Sequence, residues 1–204
     1  NNTHIKDIIN LVKNTNRPTM VAALLHNPVK VNWAIDTLND IKKAQMAGYE
    51  IWGQVSCRSL TMEFTMQEPY FFEGLSAWNE YMIKNSLKDK IKVLKNKVFR
   101  NNVLQEILDT TKNKLFVGNW EKIKLINTKN MKLKSFEGNN LCEISKKFNK
   151  EPFDWLLDNT IDGGIDDMFT AELLNSDDEK VKNLLTHECS TIALSDAGAH
   201  LSLL

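Results

Sequence analysis

Two short apolar runs on either side of one amphipathic helix constrain this chain more than any other feature. "TMVAALL" occupies residues 19–25 and "YEIWGQVSC" residues 49–57. Between them Asn32 stands as an N-cap, Ile35, Leu38, Ile41 and Ala44 recur at the spacing of one buried helix face, and Gly48 closes the segment. Short continuous apolar runs suit strands buried on both faces, as in parallel sheets. The simplest arrangement of strand, helix and strand is a parallel βαβ unit with a right-handed crossover. Both strands then finish on one edge, the first near His26 and the second near Cys57 and Arg58. Ligand sites of parallel α/β folds lie at that carboxyl edge.

The rest of the chain is less regular. A helix is expected over residues 4–16, with Ile5, Ile8, Ile9 and Val12 on one side and Pro18 beyond its end. From 59 to about 118 the periodicity is lost, apart from helices near 76–84, 87–98 and 101–112. Tyr70, Phe71, Phe72 and Trp78 read either as a packed loop core or as an apolar wall for a substrate. The lysine-rich "KDKIKVLKNKVF" reads as a solvated helix with one buried stripe. "WEKIKLI" alternates like a half-exposed strand, and "GNNLCEISKKF" and "EPFDWLLDNTI" read as short helices. The first of these is capped by Asn139 or Asn140, and the second carries Pro152 in its first turn. "DDMFTAELL" fits strand or helix, Asp177 and Asp178 open a helix to about His187, and "STIALS" at 190–195 is the last strand. That strand has no helix after it and the first helix has no strand before it. The expectation is therefore an internal piece of a longer α/β chain.

Composition excludes several classes. Formal net charge is zero, with 26 basic and 26 acidic side chains, which argues against a dedicated nucleic-acid binder. No apolar run approaches the ~20 residues that span a bilayer, and "NNTHIKDIIN" has no signal-peptide pattern. Cys57, Cys142 and Cys189 are far apart and odd in number, which fits a reducing compartment and a cytoplasmic location better than a disulfide framework. No CxxC, HxH or HExxH occurs. With only His4, His26, His187 and His200, a complete histidine-rich metal site cannot come from this chain alone.

The chemistry-bearing candidates cluster at the strand ends. Asp196 follows the last apolar run, where a parallel barrel places catalytic groups. A carboxylate there can bind a divalent metal and take a proton from a metal-bound water. Ala197 and Gly198 would let the backbone pass close to a ligand. The alternative is that 195–198 is an ordinary strand-capping turn. His26 is a candidate zinc ligand or simply the opening residue of the "HNP" turn. His200 could orient the acid or touch substrate. Arg58 could grip a substrate carboxylate in bidentate fashion or serve a framework ion pair. Cys57 reads as a small buried residue or a thiolate ligand.

"GQVSCRSLTMEFTMQEPYFFEGLSAW" together with "ALSDAGAHL" resembles the N-acyl-D-amino-acid deacylase (D-aminoacylase) branch of the amidohydrolase superfamily. "NNLCEISKKFNKEPFDWLLD" is similar to that branch's "G-x-S-hydrophobic-x-E-hydrophobic-A" helix and the "P-x-D" after it. The resemblance implies part of a (β/α)8 TIM-type barrel. "GQVSC" would be its seventh strand and "TIALSD" its eighth, with a long, mostly helical insertion over about 59–189 carrying the substrate lid. It implies a zinc-dependent hydrolase acting on N-acyl (D-)amino acids or related small-molecule amides, with no nucleic-acid or membrane partner. Asp196 matches the general base beside the metal, so His26 and Asp196 become the metal candidates and Arg58 and His200 the substrate candidates. Two features depart from the family: His26 falls a few positions late, and the usual following lysine is absent. The family's HxH, bridging ligand and another strand-end histidine would lie upstream of residue 1, so the isolated piece is expected to be inactive. A non-catalytic barrel relative, acting as a binding or structural subunit, is the alternative from a different class.

Overall fold

The computed structural model describes residues 4–72, 74–109, 111 and 114–193. In chain order its regular elements begin with α1 (Ile5–Thr15), β1 (Thr19–Leu24), α2 (Trp33–Met46), β2 (Ile51–Val55) and β3 (Leu60–Phe64). They continue with α3 (Asn79–Met82), α4 (Leu87–Lys95), α5 (Lys97–Leu108), β4 (Ile123–Asn127), α6 (Leu141–Lys147) and α7 (Pro152–Ile161). β5 (Met168–Leu174), α8 (Asp178–Leu185) and β6 (Ser190–Ile192) complete them. The chain divides into two compact units, one made of Asn1–Leu60 and Leu174–Leu204, the other of Thr61–Leu173.

The first unit is built on a three-stranded sheet in the order β1-β2-β6. Both pairings are parallel, so the three apolar runs lie side by side as the sequence predicts. One face of the sheet packs under helices. Leu38, Ile41 and Ala44 of α2, Val12 of α1 and Leu184 of α8 share an apolar cluster with Leu24, Ile51 and Val55. At its centre Gly53 leaves room for the helix: a Cβ there would stand 2.4 Å from Leu38 Cδ2 and 2.8 Å from Leu24 Cδ1. Gly53→Ala is therefore expected to destabilise by about 1–3 kcal/mol through overpacking, read from chemical denaturation. The other face is open. Met20 and Trp52 are register partners across β1 and β2, and both are exposed.

Residues 174–189, which the sequence assigns to the insertion, belong to this first unit. α8 buries Val181 and Leu184, the latter in the same cluster as α2, because the stretch before β6 needs a helix to cover it. The separate unit accordingly spans 61–173, shorter at its end than the expected 59–189.

The second unit carries its own sheet, in the order β3-β5-β4, with β4 and β5 antiparallel. "DDMFTAELL" resolves into β5, whose Phe169, Ala171 and Leu173 are buried in alternation. β3 is a strand that the sequence reading did not separate from the irregular stretch around it. The aromatic run forms the core of this unit. Phe71, Phe72, Trp78 and Tyr81 are almost wholly buried, and only Tyr70, 49% exposed, stands apart. Tyr81 donates to the Met66 carbonyl at 2.5 Å, and burial pushes its phenol up to about 12. On the outside, Arg100 bridges Asp154 and Asp158 at 2.7 and 2.6 Å, tying α5 to α7. α6 opens with the Asn140–Glu143 capping box, which settles the choice between Asn139 and Asn140. The lysine-rich stretch divides into α4 and the start of α5, with Val93 and Leu94 buried and Val98 exposed. No helix among the described residues is long and apolar enough to cross a membrane.

Candidate functional site

The three parallel strands bring three chain segments to one carboxyl edge. β1 leads into His26, β2 into Ser56, Cys57 and Arg58, and β6 into Ala193. The Ala193 N–H donates to the Val55 carbonyl at 3.0 Å, so the third strand is still paired where its description ends. Asp196 and His200 lie outside the described residues.

The edge is held by a residue the sequence reading passed over. Asn175, 3% exposed, sits directly after β5 in the left-handed region with φ 59°. Its Oδ1 accepts from the His26 N–H at 3.1 Å, and its own N–H donates to the His26 carbonyl at 2.8 Å. Its Nδ2 donates to the carbonyls of Ser56 and Arg58 at 2.7 and 2.9 Å. One side chain thus ties the segment after β1 to the segment after β2. The local signal was present: asparagine tolerates the left-handed region, and it stands two residues before the Asp177 cap of α8.

His26 is 6% exposed and faces the helix layer. The turn after it is made by Asn27, whose Oδ1 accepts from the N–H groups of Val29 and Lys30. The imidazole borders a cavity of about 70 Å3 closed by the first turn of α2 and by Lys180, Asn183 and Leu184 of α8. Its Nδ1 is buried without a hydrogen-bond partner among the described residues. Burial pushes its pKa down, the Asp177 carboxylate pulls it up and the Lys180 ammonium pushes it down again. The net shift is below the ordinary histidine value, which keeps the ring neutral at pH 7.

The other candidates are arranged differently from a ligand set. Cys57 is a free thiol and exposed rather than buried, because its side chain falls past the last paired residue of β2. Arg58 is also exposed; its N–H donates to Ser56 Oγ at 3.2 Å, which closes a tight turn at the strand end. Among the described residues no group of three or more His, Cys, Asp or Glu is placed to hold a metal ion. These residues therefore do not by themselves fit the zinc that the resemblance implies.

No protein-family model matches this chain, and no curated protein does. Among solved structures it aligns with an N-acyl-D-glutamate deacylase from Bordetella bronchiseptica, complexed with zinc and a phosphonate inhibitor that mimics the tetrahedral intermediate of the reaction. The TM-score is 0.38 and the identity 10%, over 93% of this chain. The chain spans 28% of the length of that deacylase.

Proposed function

We propose that this chain is part of a (β/α)8-barrel hydrolase of the amidohydrolase type, which cleaves the amide bond of N-acyl amino acids. The observation that carries the reading is a parallel edge built from β1, β2 and β6 with an acid, Asp196, four residues past the end of β6 in the sequence. Two features support it: the sequence resemblance around "ALSDAGAHL", and a parallel sheet whose Met20 and Trp52 face is left open where a barrel would place further strands.

In this reading Asp196 acts as general base. It takes a proton from the attacking water and returns it to the leaving nitrogen. Arg58, exposed at the same edge, pairs with the substrate carboxylate, and His200 holds the substrate or the tetrahedral oxygen. The described residues do not assemble a zinc site, so no step is derived through a metal.

The test is hydrolysis of a panel of N-acyl D- and L-amino acids by the whole hydrolase of which this chain is proposed to be part, and by its Asp196→Asn variant. The variant is expected to lose about 10²–10⁴-fold in turnover with substrate binding retained. Undiminished turnover would remove Asp196 from the reaction. Substrate binding with no hydrolysis by the unmodified protein would favour the non-catalytic relative.

A further inference from the structure

We propose that Asn175 is a positioning residue, which fixes the Ser56–Cys57–Arg58 turn so that the Arg58 guanidinium is presented to the substrate carboxylate. This role rests on the reading of Arg58 given above.

The turn is held from two sides. β2 ends at Val55, whose carbonyl accepts from the Ala193 N–H at 3.0 Å. The carbonyls of Ser56 and Arg58 both accept from Asn175 Nδ2, at 2.7 and 2.9 Å. Inside the turn Ser56 Oγ accepts from the Arg58 N–H at 3.2 Å and donates to the Arg58 carbonyl at 3.4 Å. Both backbone polar groups of Arg58 are therefore taken up on the protein side, while Cys57 and Arg58 themselves stand exposed.

The brace is itself anchored. Asn175 is 3% exposed, and its N–H and Oδ1 close a pair of hydrogen bonds with the His26 backbone at 2.8 and 3.1 Å. A carboxamide suits this place: its oxygen accepts from one N–H, and the two hydrogens of its nitrogen serve two carbonyls.

What the turn leaves free points to its use. The Arg58 guanidinium makes no ion pair or hydrogen bond among the described residues, unlike Arg100, which is taken up by Asp154 and Asp158. A framework ion pair is therefore not its role among those residues. An ordered main chain beneath an uncommitted guanidinium suits the reception of a ligand carboxylate. Two parallel N–H···O bonds require the planar fork to be in place. A mobile turn would add its own ordering cost to each binding event, and a fixed one removes that cost beforehand. Asn175 thus acts through Arg58, from a position that touches no substrate.

The test compares, in the whole hydrolase, an N-acyl amino acid with the same compound carrying a carboxamide in place of its carboxylate. Asn175→Gly keeps the backbone bend. It is expected to raise KM for the carboxylate substrate about tenfold with kcat within about threefold, and to change kcat/KM for the carboxamide by less than about twofold. Ser56→Ala removes only the inner hydrogen bonds of the turn. It is expected to raise the same KM about threefold, and it covers the case of an Asn175→Gly enzyme that fails to fold. In an Arg58→Gln background Asn175→Gly is expected to add less than about twofold, because the two residues act as one unit. Gly53→Ala, which destabilises the same sheet under α2, is expected to leave the discrimination between the two substrates unchanged.

An equal loss for both substrates, the same KM rise in Gly53→Ala, or full additivity with Arg58→Gln would make Asn175 a structural brace alone. Each overturns the proposal and leaves the reading of Arg58 standing. An Arg58→Gln enzyme with unchanged KM, or an unmodified hydrolase without activity, overturns both.

Discussion

Asn175→Ala is expected to lower the stability of the first unit by about 3–4 kcal/mol, a fall of about 8–12 °C in its melting midpoint for a chain of this size. Two backbone groups lose their partner in that variant, the His26 N–H and the Ser56 carbonyl, and the Arg58 carbonyl keeps only the Ser56 hydroxyl at 3.4 Å. Water reaches this place poorly, because Asn175 is 3% exposed, so each loss approaches the cost of an unsatisfied buried group. Alanine also adopts the φ of 59° at a cost that asparagine escapes in part. Two companion variants separate these contributions. Asn175→Gly keeps the backbone bend and loses only the side-chain bonds. Asn175→Asp keeps an acceptor for the His26 N–H but faces two carbonyls with an oxygen, so it is expected to be at least as harmful as alanine. If all three variants melt within about 0.5 kcal/mol of the parent, the tie between the strand ends is not a source of stability. Thermal melts and amide exchange at His26 and Arg58 give the readout.

Phe72→Ala is expected to cost about 3–5 kcal/mol in the second unit. Phe72 is fully buried, and its ring centroid lies 3.9 Å from Phe71, 4.5 Å from Trp78, 5.9 Å from Phe116 and 6.2 Å from Phe153. Truncation removes the ring's transfer energy and leaves a cavity that aromatic neighbours with few rotamers cannot close. The same experiment separates the two readings that the sequence leaves open for this run. A substrate wall predicts a change in KM with little change in stability, whereas a core predicts unfolding at lower denaturant with an unchanged slope. Tyr70→Ala is the internal control: Tyr70 is 49% exposed, and the variant is expected to stay within about 0.5 kcal/mol of the parent.

What the sequence made legible follows the reach of local signals. The parallel arrangement of 19–24, 51–55 and 190–192 was readable because each run is apolar, short and bounded by breakers, and because one amphipathic helix separates the first two. β3 was not readable: its five residues sit in a stretch dense with methionine and aromatics, where apolar positions on both sides blur the alternation. "DDMFTAELL" carried helix formers and strand formers together, and only its pairing with β4 decides between them. α8 looks like any exposed amphipathic helix in the sequence, so the place of its Leu184 in the cluster that holds Leu38 was not readable. At the candidate site, the convergence of His26 and Arg58 on one edge was legible from the βαβ pattern. The tie made by Asn175 was not, since its partners lie 117, 119 and 149 residues away in the chain. The burial of the His26 ring under α2 and α8 was equally hidden, because a loop histidine after a strand carries no mark of which layer it enters.

The amide of Asn175 also offers a way to read other chains of this kind. Only a side chain with one acceptor and one donor end, on a backbone that tolerates positive φ, can serve both strand ends at once. A homologue that keeps asparagine there would keep the spacing between its first two strand tips, whereas one with glycine would inherit the bend alone and need another brace. That single column of an alignment would therefore sort chains with a rigid rim from chains whose rim can spread.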